Sequence, residues 1–113
     1  MKMNHLNLTV TDVAAAADFL EKYFGLRKHP GGNKAFILLF DDDYLGLTLM
    51  KAGQVEYPRT FHIGFSQESE QRVNEIYQQL KDDGFDVNPP QRTHAWTFYV
   101  KAPGGFTVEV ASV

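Results

Sequence analysis

The chain contains no cysteine. That excludes a thiolate nucleophile, a Cys-based zinc site and a dithiol redox motif together, so any metal has to be held by histidine, carboxylate or weaker oxygen donors. Long apolar runs are missing as well: none approaches the ~18 residues of a membrane span, and the first residues lack the charged-then-apolar pattern of a secretion signal. The expectation is a cytoplasmic protein with no membrane role. One-sided charge is also absent. The 11 basic and 14 acidic residues give a net charge of −3, and the basic ones are scattered, which argues against nucleic acid and for a small-molecule substrate. Apolar material is plentiful, with 43% hydrophobic and 13% aromatic residues among 113, enough for a single domain over 1–113 to bury a core without staples.

Alternation and turn residues divide the chain into two similar halves, modules of approximately 1–52 and 60–113. The first reads as a strand at His5–Val10, a helix at Val13–Phe24 and strands near Lys34–Phe40 and Tyr44–Met50. The second repeats that order, with a strand at Phe61–Phe65, a helix at Glu68–Asp83 and strands near Ala95–Lys101 and Phe106–Val110. Val13, Ala16, Ala17 and Leu20 form one helical apolar stripe, and Val73, Ile76, Tyr77 and Leu80 the other. Thr11 or Asp12 is placed to cap the first helix and Ser66 the second, while Gly25 and Gly84 stand where left-handed C-terminal caps belong. A short β-like piece follows each glycine, at Leu26-Arg27-Lys28 and Phe85-Asp86-Val87. The fold class is therefore α+β, two βαβββ modules whose mixed sheet is expected to curl into an open cup with the helices on its outer face.

Alternate strand residues point to opposite faces. Leu6, Leu8 and Val10 oppose His5, Asn7 and Thr9. Leu45, Leu47 and Leu49 oppose Gly46 and Thr48. Phe61, Ile63 and Phe65 oppose His62 and Gly64. Trp96, Phe98 and Val100 oppose Thr97 and Tyr99, and Phe106, Val108 and Val110 oppose Thr107 and Glu109. One face is core; the other is either the solvated side of an open sheet or the wall of a cavity.

His5 and His62 occupy matching places in the two halves, and Glu109 lies on the same polar face. Converging on one point, these side chains would bind a divalent metal and leave positions open for substrate. Asn7, Thr9, Thr48, Thr97 and Tyr99 would line the pocket. A phenol at Tyr99 can hydrogen-bond a substrate oxygen or act as an acid beside Glu109; as a rim residue it would only keep its hydroxyl in water. His94 precedes the same strand and could serve as a base behind the metal ligands; by strict alternation it shares the face of Trp96 and reads instead as a loop residue, and His29 as an exposed turn residue. Gly31-Gly32 and Gly104-Gly105 are turn pairs without phosphate-loop spacing. Asp41-Asp42-Asp43, between two strands, reads as a charged hairpin turn and not a calcium loop.

Three segments, Asn4-His5-Leu6-Asn7-Leu8-Thr9-Val10, Phe61-His62-Ile63-Gly64-Phe65 and Phe98-Tyr99-Val100-Lys101-Ala102-Pro103-Gly104-Gly105-Phe106-Thr107-Val108-Glu109-Val110, resemble in their order and separation the vicinal oxygen chelate superfamily. That group includes glyoxalase I, extradiol dioxygenases, and fosfomycin and bleomycin resistance proteins. The resemblance implies paired modules forming a cup, with ligand slots at His5, Thr48, His62 and Glu109. It implies a divalent ion, Mn, Fe, Ni or Zn, held by His5, His62 and Glu109. The common glyoxalase I has a carboxylate where Thr48 stands, and threonine cannot replace it as a base; Glu56 lies beyond the strand. The His-His-Glu set looks more like the extradiol and fosfomycin-modifying enzymes, although the chain stops soon after Glu109 and lacks their longer or extended C-terminal parts.

The leading expectation is a metal-dependent enzyme of this type acting on a small oxygen-rich molecule, with Tyr99 and Glu109 at the reacting centre. The alternative is a non-catalytic, bleomycin-resistance-type protein that sequesters a small molecule in the same cup. A ferredoxin-like regulatory domain would share the β-α-β order but gives no reason for the matched histidines. A homodimer is expected, because a twofold partner can complete the sheet edges, either around a cup within one chain or by exchange of halves.

Overall fold

The strand and helix order is β1 (His5–Val10), α1 (Val13–Phe24), β2 (Arg27–Lys28), β3 (Phe36–Phe40), β4 (Gly46–Lys51), β5 (Ile63–Ser66), α2 (Glu70–Asp82), β6 (Gln91–Arg92), β7 (Trp96–Ala102) and β8 (Phe106–Ser112). This is a computed structural model and it describes residues 1–113. It comprises two compact units, Met1–Tyr57 with Pro103–Gly105, and Pro58–Ala102 with Phe106–Val113. Each unit contributes an open four-stranded sheet, ordered β1-β4-β3-β2 in the first and β5-β8-β7-β6 in the second. β1 runs parallel to β4 and β5 parallel to β8, while the remaining neighbours are antiparallel. The α+β class and the repeated βαβββ order are thus present.

Helix α1 starts where Asp12, in extended conformation, accepts the Ala15 N–H at 3.0 Å, and it ends at Gly25 with φ 70°. Its apolar stripe, Val13, Ala16, Ala17 and Leu20, is fully buried, joined by Phe19 and Tyr23, and the helix lies against β2, β3 and β4. The other buried apolar residues of this unit include Leu8, Val10, Leu47 and Leu49, at positions that alternation assigned to the core, together with Leu39 of β3. Burying each such side chain contributes about 1.5–3 kcal/mol.

Helix α2 is capped by Ser69, whose hydroxyl accepts the Arg72 N–H at 3.1 Å, and not by Ser66, which ends β5. Ser66 is still extended and pairs with Ala111, so the chain needs three more residues before it can turn into a helix. Val73, Ile76 and Leu80 are buried, and the Tyr77 ring meets Phe98 edge-on at 5.8 Å. The short strand expected at Phe85–Val87 forms instead at Gln91–Arg92. Phe85 spends its N–H on the Leu80 carbonyl, 3.0 Å away, closing the helix end. Pro89 and Pro90 have no N–H to offer a ladder, so pairing with β7 begins at the next residue.

Asp41 accepts the N–H groups of Asp43 and Leu45, each at 2.9 Å. That makes the triple-aspartate segment a hairpin turn, as its place between strands implied.

Candidate metal and substrate site

The registers of the two parallel pairs make the repeat explicit at residue level. Asn7 stands opposite Thr48 in the first unit, and Gly64 stands opposite Glu109 in the second. His5 and His62 each lie two residues before those positions. The internal equivalences are therefore His5 with His62, Asn7 with Gly64 and Thr48 with Glu109.

In the first unit His5 is exposed, and its Nδ1 lies 2.6 Å from Asn4 Oδ1. An amide oxygen only accepts, so Nδ1 carries the proton and Nε2 keeps its lone pair. Thr48 donates to Asn7 Oδ1 at 2.6 Å, which ties these two pocket candidates to each other across β1 and β4. Thr9 is held through its backbone: its N–H donates to the Tyr57 hydroxyl and its carbonyl accepts from it, both at 2.9 Å.

The second unit concentrates the chemistry. Glu109 retains 8% exposure, and its two oxygens have different surroundings. Oε2 lies 2.7 Å from the Thr97 hydroxyl and 2.8 Å from His94 Nε2. Oε1 faces His62 Nε2 at 3.3 Å. His62 Nδ1 sits 2.9 Å from the Thr60 carbonyl, which again makes Nδ1 the donor. A neutral His62 would then point its Nε2 lone pair at a carboxylate oxygen, and the contact is attractive only with a cation between or upon them, either a proton on Nε2 or a metal ion. Two ligands bonded to one ion at about 2.1 Å lie roughly 3.0–3.4 Å apart for right-angled to tetrahedral geometry. The observed 3.3 Å fits a shared divalent ion. No group of three or more His, Asp or Glu side chains is arranged to hold a metal ion; the ligands that stand together are the pair His62 and Glu109.

Burial works against the charge on Glu109, but hydrogen bonds from Thr97 and Tyr99, with His94 and His62 nearby, outweigh it and hold the carboxyl below its usual range. Tyr99 shifts the other way. Its partial desolvation, and then its interaction with the Glu109 carboxylate, raise the phenol above its usual value, so it stays protonated and able to donate. Its ring meets His62 edge-on at 5.3 Å. A cavity of about 630 Å³ opens beside this group, lined among others by His62, Tyr99, Thr107, Arg59 and Lys101. A smaller one of about 290 Å³ reaches Thr97 and Tyr99 from the β6 side.

Alternation thus places Glu109, Thr97 and Tyr99 on one face with His62, as expected. It missed His94. That residue does lie in a loop, but the loop is the tight connection between β6 and β7, where the Thr93 N–H bonds the Ala95 carbonyl at 3.0 Å. Strand alternation does not extend there, and the imidazole swings back over β8. The usable signal was the run Gln91–Arg92, which makes residues 93–95 a hairpin turn at the edge of the polar face.

The sequence model of the glyoxalase/bleomycin resistance protein/dioxygenase superfamily matches residues 2–110. Among solved structures, one described as a possible glyoxalase from Bacillus cereus is 58% identical, covers 98% of each chain and superposes with a TM-score of 0.94. A lactoylglutathione lyase from Agrobacterium tumefaciens is 18% identical over 98% of this chain and 92% of its own, with a TM-score of 0.78. A mutant of the fosfomycin resistance protein FosX from Listeria monocytogenes, complexed with Mn(II) and 1S,2S-dihydroxypropylphosphonic acid, is 20% identical over 97% and 90%, with a TM-score of 0.81. No curated protein matches.

Proposed function

Because the chain belongs to the glyoxalase/bleomycin resistance protein/dioxygenase superfamily, we propose that it is a metal-dependent enzyme acting on a small, oxygen-rich molecule. His62 and Glu109 would hold a divalent ion. The observation that carries this reading is the 3.3 Å approach of His62 Nε2 to Glu109 Oε1, with Nδ1 of the same ring committed to a backbone carbonyl. A ligand histidine is commonly fixed in this way by a hydrogen bond at its other nitrogen. His5 shows the same commitment through Asn4 at the equivalent position of the repeat. The bound ion would act as a Lewis acid toward substrate oxygens.

The chain's own side chains do the rest. Thr97 and His94 donate to Oε2 and hold the carboxylate plane, which leaves Oε1 presented. The Tyr99 phenol, kept protonated, can donate to a substrate oxygen brought beside His62. Thr48 is bonded to Asn7 and has no basic group, so a proton-transfer role in the first unit has no candidate there. This disfavours a glyoxalase I mechanism that needs a second carboxylate. Among the superfamily's chemistries, addition to or oxidation of an oxygen-chelated substrate fits the donor set better.

The test is the metal content of the purified protein by elemental mass spectrometry, after reconstitution with Mn(II), Fe(II), Ni(II) and Zn(II). We expect near-stoichiometric metal in the native chain and its loss in His62→Ala and Glu109→Gln. No metal under any of these conditions would overturn the reading and favour sequestration of a small molecule in the same cavity.

A further inference from the structure

Of the five basic side chains in the second unit, three have partners. Arg72 pairs with Glu75, Arg92 pairs with Glu70 and covers the Trp96 ring, and Lys81 lies over the Tyr77 ring. The other two are Arg59 and Lys101. Neither makes an ion pair or a ring contact, and both line the 630 Å³ cavity that holds His62 and Tyr99. In a chain of net charge −3, two unpartnered cations on one concave wall are an uneven distribution of charge.

The strand geometry explains the position of Lys101. It follows Tyr99 by two residues on β7 and stands opposite Thr107 of β8, as Tyr99 stands opposite Glu109. It therefore continues the row of Thr97 and Tyr99 along the same sheet face. Arg59 precedes Thr60, whose carbonyl anchors His62, so the guanidinium enters from the connection before β5. Asp86 also lines the cavity but pairs with neither cation, and the wall keeps a net positive charge. The cavity volume lies within the roughly 300–1,000 Å³ of small-molecule sites.

We propose that Arg59 and Lys101 form an anion subsite, which takes the carboxylate or phosphonate end of the substrate while its neutral oxygens face His62 and Tyr99. A guanidinium binds such a group through paired N–H donors and an ammonium as a point charge. The subsite deepens the enzyme reading above, because it specifies a substrate that is anionic at one end, but its occupancy does not require the metal.

The test is a ¹⁵N–¹H NMR titration of the full chain, stripped of metal with EDTA so that no ion captures the probe. Phenylphosphonate and the neutral benzyl alcohol are the two probes. We expect saturable phenylphosphonate shifts at the amides of Arg59–His62, Tyr99–Lys101 and Thr107, and none from benzyl alcohol. The Arg59→Gln/Lys101→Gln double variant should bind phenylphosphonate at least about tenfold more weakly. Both side chains are exposed, so an otherwise unchanged spectrum will show that the variant is folded. Equal affinity in the double variant, or shifts elsewhere, would overturn the subsite. A parallel Mn(II) titration separates the two readings. Native protein that binds phenylphosphonate through these residues but no Mn(II) contradicts the metal site alone. Protein that binds Mn(II) but ignores the two cations contradicts the subsite alone.

Discussion

Glu109 is nearly buried, and its oxygens are unequal. Oε2 is bonded by Thr97 and His94 and Oε1 is left to His62. Donors on the charged form hold its pKa below the ordinary carboxylate value against the cost of burial, and this sets a pH dependence. A folded-state pKa below the unfolded value means that folding favours the ionised carboxylate. The resulting stability is present above the unfolded value and is lost as pH falls through the folded one. Urea denaturation of the native chain and Glu109→Gln between neutral and acid pH measures this. We expect the native chain's advantage to shrink as pH drops through and below the ordinary carboxylate range. An advantage that grows on acidification would contradict the assignment of donors to this carboxylate. At this scale the sequence was a good guide wherever a side chain sits inside a strand, as for Thr97, Tyr99 and Glu109. It was a poor one for His94, whose direction is set by a hairpin turn and not by strand period.

At the scale of elements, the register of β5 on β8 controls access to Oε1. Gly64 stands beside Glu109, and a Cβ built there would lie 3.9 Å from Oε1, an ordinary contact that leaves the carboxylate edge open. The equivalent position of the first repeat carries Asn7, whose side chain fills that space with a bond to Thr48. Gly64→Val should therefore fold at least as well as the native chain, since a strand glycine costs about 0.5–1 kcal/mol. It should also lose most of its metal affinity. Thermal denaturation and Mn(II) calorimetry check the two halves of this expectation; a variant that folds and binds metal as tightly as the native chain would show that Oε1 is not approached from this side. Helix boundaries were readable because Asp12 and Gly25 cap with their own local chemistry. The start of α2 was misplaced by one capping serine because Ser66 and Ser69 carry the same hydroxyl, and only the pairing of Ser66 with Ala111 decides between them. The displaced β6 has a similar origin, a competition for the Phe85 N–H that strand propensity does not register.

For the whole molecule, duplication is the feature that made the family legible. Two sheets of identical strand order map His5 onto His62 and Thr48 onto Glu109, so the two repeats carry a histidine at equivalent places, at the start of β1 and just before β5, and different residues on their last strands. What alternation alone did not disclose was the distribution of partnered and unpartnered cations, because ion pairs such as Arg92–Glu70 join residues distant in sequence. The central claim is that His62 Nε2 and Glu109 Oε1 share a divalent ion. The most direct measurement is an anomalous difference map from crystals soaked in Mn(II). The account predicts one strong peak within about 2.0–2.3 Å of both atoms, with Thr97 and His94 still bonded to Oε2. A peak on other residues, or a fully soaked crystal with none at this pair, would contradict it.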